Sequence, residues 1–292
     1  MSRDYKSISG GDKLIFNSVR QLKDTLRNKE NELNIPSNTL INYYMMERFL
    51  CRINRSRYSD NFIIKGGFLL SSIIGINMRS TMDIDTTVKG IPINIDTISN
   101  IINEIINIDL EDNITFKIKK ISSIHEDGAY EDFRINLIAN FFNMKVPIKV
   151  DITTGDIIFP IEIDYDYSLL FTDKTISIKA YPILTILAEK IESIIVRNVT
   201  NTRARDFYDV YILLKQNPEI NKHELKTAIE KKAEERNTKK YIKNKQKYFD
   251  NIKNSKELTE VWENFCKKKS YAKDISWEDI IYSLDKLFKE ME

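Results

Sequence analysis

The sequence predicts an α/β (α+β) protein, a mixed sheet with flanking helices followed by a C-terminal helical domain. Three observations carry this. Residues 62–88 run from a short apolar stretch through a Gly-Gly-led apolar segment to an alternating stretch, the pattern of strand, helix and strand. Period-two alternation returns at residues 115–119, 133–137 and 146–152. From Ile183 onward the apolar residues recur mainly at helical spacing. At 292 residues the chain has room for about two domains, and the change of period divides it into residues 1–175 and 176–292.

Composition narrows the class. With 42% hydrophobic and 30% charged residues the chain can bury an ample core. No apolar run approaches about 18 residues, so no membrane span is expected. The first residues lack the apolar stretch of a secretory signal. Cys51 and Cys266 lie far apart, and with two histidines they build no convincing zinc spacing. The expectation is a cytoplasmic protein with structural cysteines.

Taken in order, residues 11–55 read as two helices. Leu14, Val19, Leu22 and Leu26 give the first its stripe; Ile35-Pro36-Ser37 breaks it, with Ser37 or Asn38 suited to cap the second. Phe62-Ile63-Ile64 reads as a strand, and Gly66-Gly67 follows near a helix start. In Met82-Asp83-Ile84-Asp85, alternation puts Asp83 and Asp85 on one strand face. Two adjacent carboxylates repel unless a cation lies between them. Oxygen-only ligands suit a hard ion such as magnesium, whose sites usually combine one or two carboxylates with phosphate oxygens. Glycine lets backbone N–H groups approach a phosphate closely. The stretch reads as a triphosphate-and-metal site; a solvated strand and an ordinary turn are the plainer readings.

Residues 96–106 form a helix with isoleucines on one side. The loop holding His125, Glu126 and Asp127 is polar and is given no role. In residues 146–152, Val146, Ile148, Val150 and Ile152 share one face and Asp151 lies on the other. Pairing of this strand beside the Asp83–Asp85 strand would bring three carboxylates together. Residues 157–172 read as irregular, and 175–179 as a last short strand.

Pro182 opens a strong helix. Lys190 falls inside its apolar stripe, and a buried ammonium needs anionic partners unless its stem snorkels to the surface. Residues 202–214 begin another helix, with Asp206 and Asp209 one turn apart among apolar neighbours, so each requires a cation or N–H donors. A salt link between helices would satisfy all three. Further helices are expected at 222–234, 239–252, 256–265 and 277–291. From Lys231 to Ser270 there are thirteen Lys/Arg against six Asp/Glu. Such a run is either a solvated helical face or a footprint for a polyanion such as RNA.

The Gly-Gly, the gap and the Asp-x-Asp resemble the first motif of the DNA polymerase β-like nucleotidyltransferases. The Arg79-Ser80-Thr81 lead-in, the lysine helix and the string R-A-R-D-F-Y-D-V-Y at 203–211 are similar to the AbiEii-type toxins of type IV toxin–antitoxin and phage-abortive systems. The resemblance spans about residues 62–215. It implies a nucleotidyltransferase-like sheet and transfer of a nucleotide from an NTP to an RNA acceptor, tRNA 3′ ends among them. Translation and phage growth would then be blocked until a cognate antitoxin intervenes. It further implies Mg2+ (or Mn2+) on Asp83, Asp85 and Asp151, and nucleotide contacts from Gly66, Gly67, Arg79, Ser80, Thr81, Lys190 and Asp209. Lys190 would neutralise phosphate charge, with Asp206 orienting it. Two other functions fit the same residues: an aminoglycoside-type enzyme with a small acceptor, and a GTP- or NTP-binding regulator without transfer activity.

Overall fold

The computed structural model describes residues 16–124 and 132–291; the expected loop at His125–Asp127 and the start of the first helix lie outside them. Helix α1 (Val19–Leu33) begins where the Ser18 hydroxyl accepts the Gln21 N–H. Helix α2 (Ser37–Arg55) follows the Pro36 break. Ser37 does not cap it. It is the first helical residue, and its hydroxyl donates to Glu30 of α1.

Among the described residues seven strands form one mixed sheet: β1 (Phe62–Lys65), β2 (Asp83–Val88), β3 (Ile114–Ser123), β4 (Phe133–Phe141), β5 (Met144–Thr153), β6 (Ile163–Ser168) and β7 (Thr175–Ala180). Their spatial order is β3-β4-β5-β2-β1-β7-β6. The β2–β5 and β1–β7 pairs are parallel and the others antiparallel. Pro147 is tolerated inside β5 because β2 pairs only with residues 149–153, so no ladder bond to β2 is lost.

The strand β6 was not expected within the segment read as irregular. Its sequence, I-D-Y-D-Y-S, alternates acids with apolar residues as a sheet edge does, and only Tyr167 of it is buried. The expected division after residue 175 falls at the start of β7, so the sheet runs on through Ala180 before the helices begin.

Helix α3 (Gly66–Ile74) connects β1 to β2, and α4 (Ile95–Ile106) precedes β3. On one face Phe49 of α2 meets Phe116 of β3 edge-on, and the sheet residues Ile84, Ile135, Ile148, Val150 and Ile152 are fully or almost fully buried. Arg52 of α2 makes a buried two-pronged ion pair with Asp112 (2.9 and 2.8 Å).

The helical part comprises α5 (Ile183–Arg197), α6 (Ala204–Gln216), α7 (Lys222–Glu235), α8 (Lys239–Lys243), α9 (Lys245–Lys253), α10 (Lys256–Lys268) and α11 (Trp277–Glu290). The single helix expected over 239–252 is two, broken at Asn244. Helix α5 packs against α6 and α7, and α6 reaches α3. No helix among the described residues is long and apolar enough to cross a membrane.

Candidate active site

Register places four charged residues in one row. Lys65 of β1 is the partner of Asp85 on β2, Asp85 of Asp151 on β5, and Asp151 of Arg134 on β4. Register partners project to the same sheet face, so the row reads cation, carboxylate, carboxylate, cation. Asp83, two residues before Asp85, shares that face.

The outer cations do not neutralise the Asp83–Asp85 pair. Arg134 grips Asp151 with Nε and Nη2 at 2.8 and 2.7 Å, a fork that occupies both carboxylate oxygens. Lys65 turns to Asp156 and Thr153, at 2.6 Å each. Thr87 also donates to Asp156 and meets the Tyr181 hydroxyl at 2.8 Å. These contacts hold the Asp156 pKa well below the usual carboxylate range, against burial.

Among the described residues, Asp83 accepts only the Thr81 hydroxyl (2.6 Å), and Asp85 only the Gly67 N–H (3.2 Å). Burial and the charge of Asp83 raise the Asp85 pKa; the Gly67 N–H and the Lys65 charge oppose this incompletely. Among the described residues no three His, Cys, Asp or Glu side chains gather into a group able to hold a metal ion. An unpaired two-carboxylate edge nevertheless fits a hard divalent ion that takes its other ligands from phosphate oxygens and water.

The Gly-Gly turn lies against this edge. Gly66 adopts φ +62°, and a Cβ there would fall 2.1 Å from Oδ2 of Asp85. A Cβ on Gly67 would meet Thr81 Oγ1 at 2.8 Å and Arg79 Nη2 at 3.1 Å. Backbone N–H and carboxylate can approach so closely only where both side chains are absent. The loop before β2 is held by Tyr43 of α2, whose hydroxyl accepts the Thr81 N–H (2.8 Å), and by Tyr208 of α6, which donates to the Met78 carbonyl (2.9 Å). The Ser80 carbonyl accepts Arg79 Nη1 at 2.9 Å.

Behind the loop, four charges form a closed network. Lys190 meets Asp206 at 2.6 Å and Asp209 at 2.9 Å, and Arg79 donates from Nε to Asp209 at 2.9 Å. Asp209 is fully buried and the Lys190 side chain 19% exposed. Burial alone would lower the Lys190 pKa, but the carboxylates of Asp209 and Asp206 raise it above the usual lysine value. Two cations offset two anions, which is the inter-helix salt link and not a free ammonium.

The structure thus brings Gly66, Gly67, Asp83, Asp85 and Thr81 into contact, sets Asp151 beside Asp85 but clasped by Arg134, and joins Lys190, Asp206, Asp209 and Arg79. Sequence reasoning did not single out Tyr43, Arg134 or the Lys65–Asp156 cluster. Arg134 could have been found by counting back from the Phe142-Asn143 turn, which fixes the β4–β5 register; Tyr43 and Asp156 carried no local signal.

A mixed sheet that sets an Asp-x-Asp strand against the amides of a Gly-Gly turn defines the class: a nucleotidyltransferase. A crystal structure provisionally described as a nucleotidyltransferase from H. pylori is similar over 88% of this chain and 97% of its own, with a TM-score of 0.50 at 14% identity. The crystal structure of JHP933 from Helicobacter pylori is similar over 88% and 94%, with a TM-score of 0.49 at 14% identity. At such identity the first likeness speaks for the fold alone. No curated protein matches the chain. The sequence profile of the nucleotidyl transferase AbiEii toxins of type IV toxin–antitoxin systems matches residues 48–286, and the chain belongs to this family.

Proposed function

We propose that the protein transfers a nucleoside monophosphate from an NTP to the 3′-hydroxyl of an RNA, a tRNA in this reading, with Mg2+ or Mn2+ as cofactor. The observation that carries this is the unpaired Asp83–Asp85 edge beside the Gly66–Gly67 amides, which joins a place for a divalent ion to a place for a phosphate. The acceptor oxygen forms a bond to the α-phosphorus, the bond to the bridging oxygen breaks, pyrophosphate leaves and the hydroxyl proton passes to water. When bound to Asp83 and Asp85, the ion supplies charge neutralisation and alignment.

The protein's own groups do the positioning. Gly66 and Gly67 present backbone to the phosphates. Thr81 holds Asp83 through its hydroxyl, leaving the neighbouring Ser80 hydroxyl for the nucleotide. Asp151 stands beside Asp85 and would align the attacking hydroxyl or its metal once the Arg134 fork on its two oxygens opens. Asp206 and Asp209 hold Lys190, and Arg79 ties that network to the Gly67 turn. As a toxin, the protein would block translation by modifying tRNA, abort phage growth and be neutralised by a cognate antitoxin.

The test is to incubate the protein with each of four labelled NTPs, magnesium and total RNA, beside the Asp83→Ala/Asp85→Ala variant. Label should enter a small RNA with the wild type and fall roughly a thousandfold or more in the variant, the several kcal/mol that metal ligation contributes. Label absent from RNA with all four NTPs overturns the RNA acceptor. Pyrophosphate release in the same tubes would then indicate a small acceptor, and its absence a nucleotide binder.

A further inference from the structure

Strands β3, β4 and β5 carry six cations, Lys117, Lys119, Lys120, Arg134, Lys145 and Lys149, against a single carboxylate, Asp151. Register sorts them into rows. Lys120 of β3 is the partner of Asn136 on β4, Asn136 of Lys149 on β5, and Lys149 of Asp83 on β2. This row runs beside the Arg134–Asp151–Asp85 row, one period of strand alternation away, and so projects to the same face. Lys117, opposite Ile138, and Lys145, opposite Asn140, extend that face away from the carboxylates. The other face of the three strands is core, with Phe116, Leu137 and Val150 buried. Lys117, Lys120, Lys145 and Lys149 are all exposed, and among the described residues none has a hydrogen-bond or ion-pair partner. Lys149 is one of them although Asp83 stands on the next strand.

Edge strands often carry lysines that keep other chains from pairing with them, and this accounts for Lys117 and Lys120 on β3, which is bonded only to β4. It does not account for Lys149, which has β4 on one side and β2 on the other. Exposed cations gathered on one face without counter-charges repel one another, and a polyanion laid across them relieves this. The strand order says which polyanion. The Gly66–Gly67 turn, assigned to the donor phosphates, follows β1 on one side of the Asp83–Asp85 strand, and the lysines lie on its other side. With the donor on the first side, the molecule that reaches the carboxylates from the second is the acceptor. From this geometry we infer that the lysine face of β3–β5 is the docking surface for the acceptor RNA. The sugar–phosphate backbone runs from Lys117 and Lys145 past Lys120 and Lys149, and the 3′ end arrives beside Asp83. From Arg134 to Asn140 this face is about 20 Å long, enough for several phosphates of one strand. The assignment to the acceptor rests on the nucleotidyl-transfer reading; the affinity for an RNA backbone does not.

The test measures binding of bulk tRNA over a salt series, and of an NTP in magnesium, to the full-length protein and to two variants. One is Lys117→Gln/Lys120→Gln/Lys145→Gln and the other places Arg at the same three positions. These exposed side chains hold no partner, so thermal unfolding should match the wild type in both. The Gln variant should bind tRNA about tenfold or more weakly at low salt, with the slope of log K against log salt flatter by about 2, one phosphate contact per lysine. Its NTP affinity should not change, and in RNA labelling the loss should fall on the KM for RNA. The Arg variant, which keeps the charge, should retain both affinity and slope. An unchanged tRNA affinity and slope in the Gln variant overturns the docking surface. So does a loss of NTP affinity alone, which would assign the lysines to the donor, and so does a wild type that binds no tRNA. A wild type that binds tRNA through these lysines yet labels no RNA keeps the surface and removes the transfer reading.

Discussion

Gly66 holds φ +62° with its Cα packed against the Asp85 side chain. An alanine there meets two costs at once. A left-handed backbone on a non-glycine residue costs roughly 1–3 kcal/mol, and the new methyl would lie 2.1 Å from Oδ2 and 2.7 Å from Cβ of Asp85, so the carboxylate must move. Gly66→Ala is therefore expected to lower stability by about 2 kcal/mol or more and transfer by at least about a hundredfold. Thermal unfolding and RNA labelling check the two effects, and wild-type labelling by this variant would show that Asp85 need not stay where it is. The glycine and the Asp-x-Asp were both legible in the sequence because their geometry is local: one needs a permissive φ, the other a period of two. The neutralisation of Asp151 was not read, because it depends on which residue of a neighbouring strand lies opposite.

At the scale of elements, α2 shows how buried charge fixes a helix on a sheet. Glu47 is buried; its Oε1 accepts the Tyr167 hydroxyl of β6 (3.1 Å) and the Leu170 N–H (2.9 Å). Burial pushes its pKa from 4.5 up to about 7. The sign follows from proton linkage: between these two values the folded state holds more protons than the unfolded one, so stability falls as pH rises from about 4.5 to about 7 and then levels off. The full loss is at most about 3 kcal/mol. Glu47→Gln keeps an oxygen for both donors and removes the charge. Its melting temperature should match the wild type near pH 4.5 and exceed it above pH 7, and parallel pH profiles for the two proteins would refute this account. Helix α4 was legible from apolar period, since it buries one stripe through Ile98, Ile101, Ile102 and Ile105, whereas α2 is buried nearly all round. The strand β6, to which Glu47 is tied, was missed because an edge strand with outward acids carries the composition of a loop.

Charge is nearly balanced over the whole molecule, with 45 Lys and Arg against 43 Asp and Glu, but it is not evenly spread. The surplus between Lys231 and Ser270 falls on α7 to α10, whereas the carboxylate row lies on the sheet. Part of that surplus is structural: Lys232 is buried between Glu189 and Glu235, and Arg236 pairs with Glu192, which locks α7 onto α5. What is left for a polyanion is the exposed set, and Lys243, Lys247, Lys253 and Lys256 have no ion-pair partner among the described residues. The sequence could count the charges, but only packing separates those bound inward from those turned to solvent. If the exposed lysines hold RNA, each phosphate they neutralise steepens the dependence of log K on log salt by about 0.7–0.9. Replacing all four with alanine should flatten that slope by about 3 and weaken RNA binding at low salt. NTP affinity should stay unchanged, because these residues are distinct from the Gly66–Gly67 turn and the Asp83–Asp85 pair. An unchanged slope would make the basic run a solvated helical face. The acceptor would then have to be held at the carboxylate row itself, and Arg134, 42% exposed beside Asp151, is the cation best placed there to meet it.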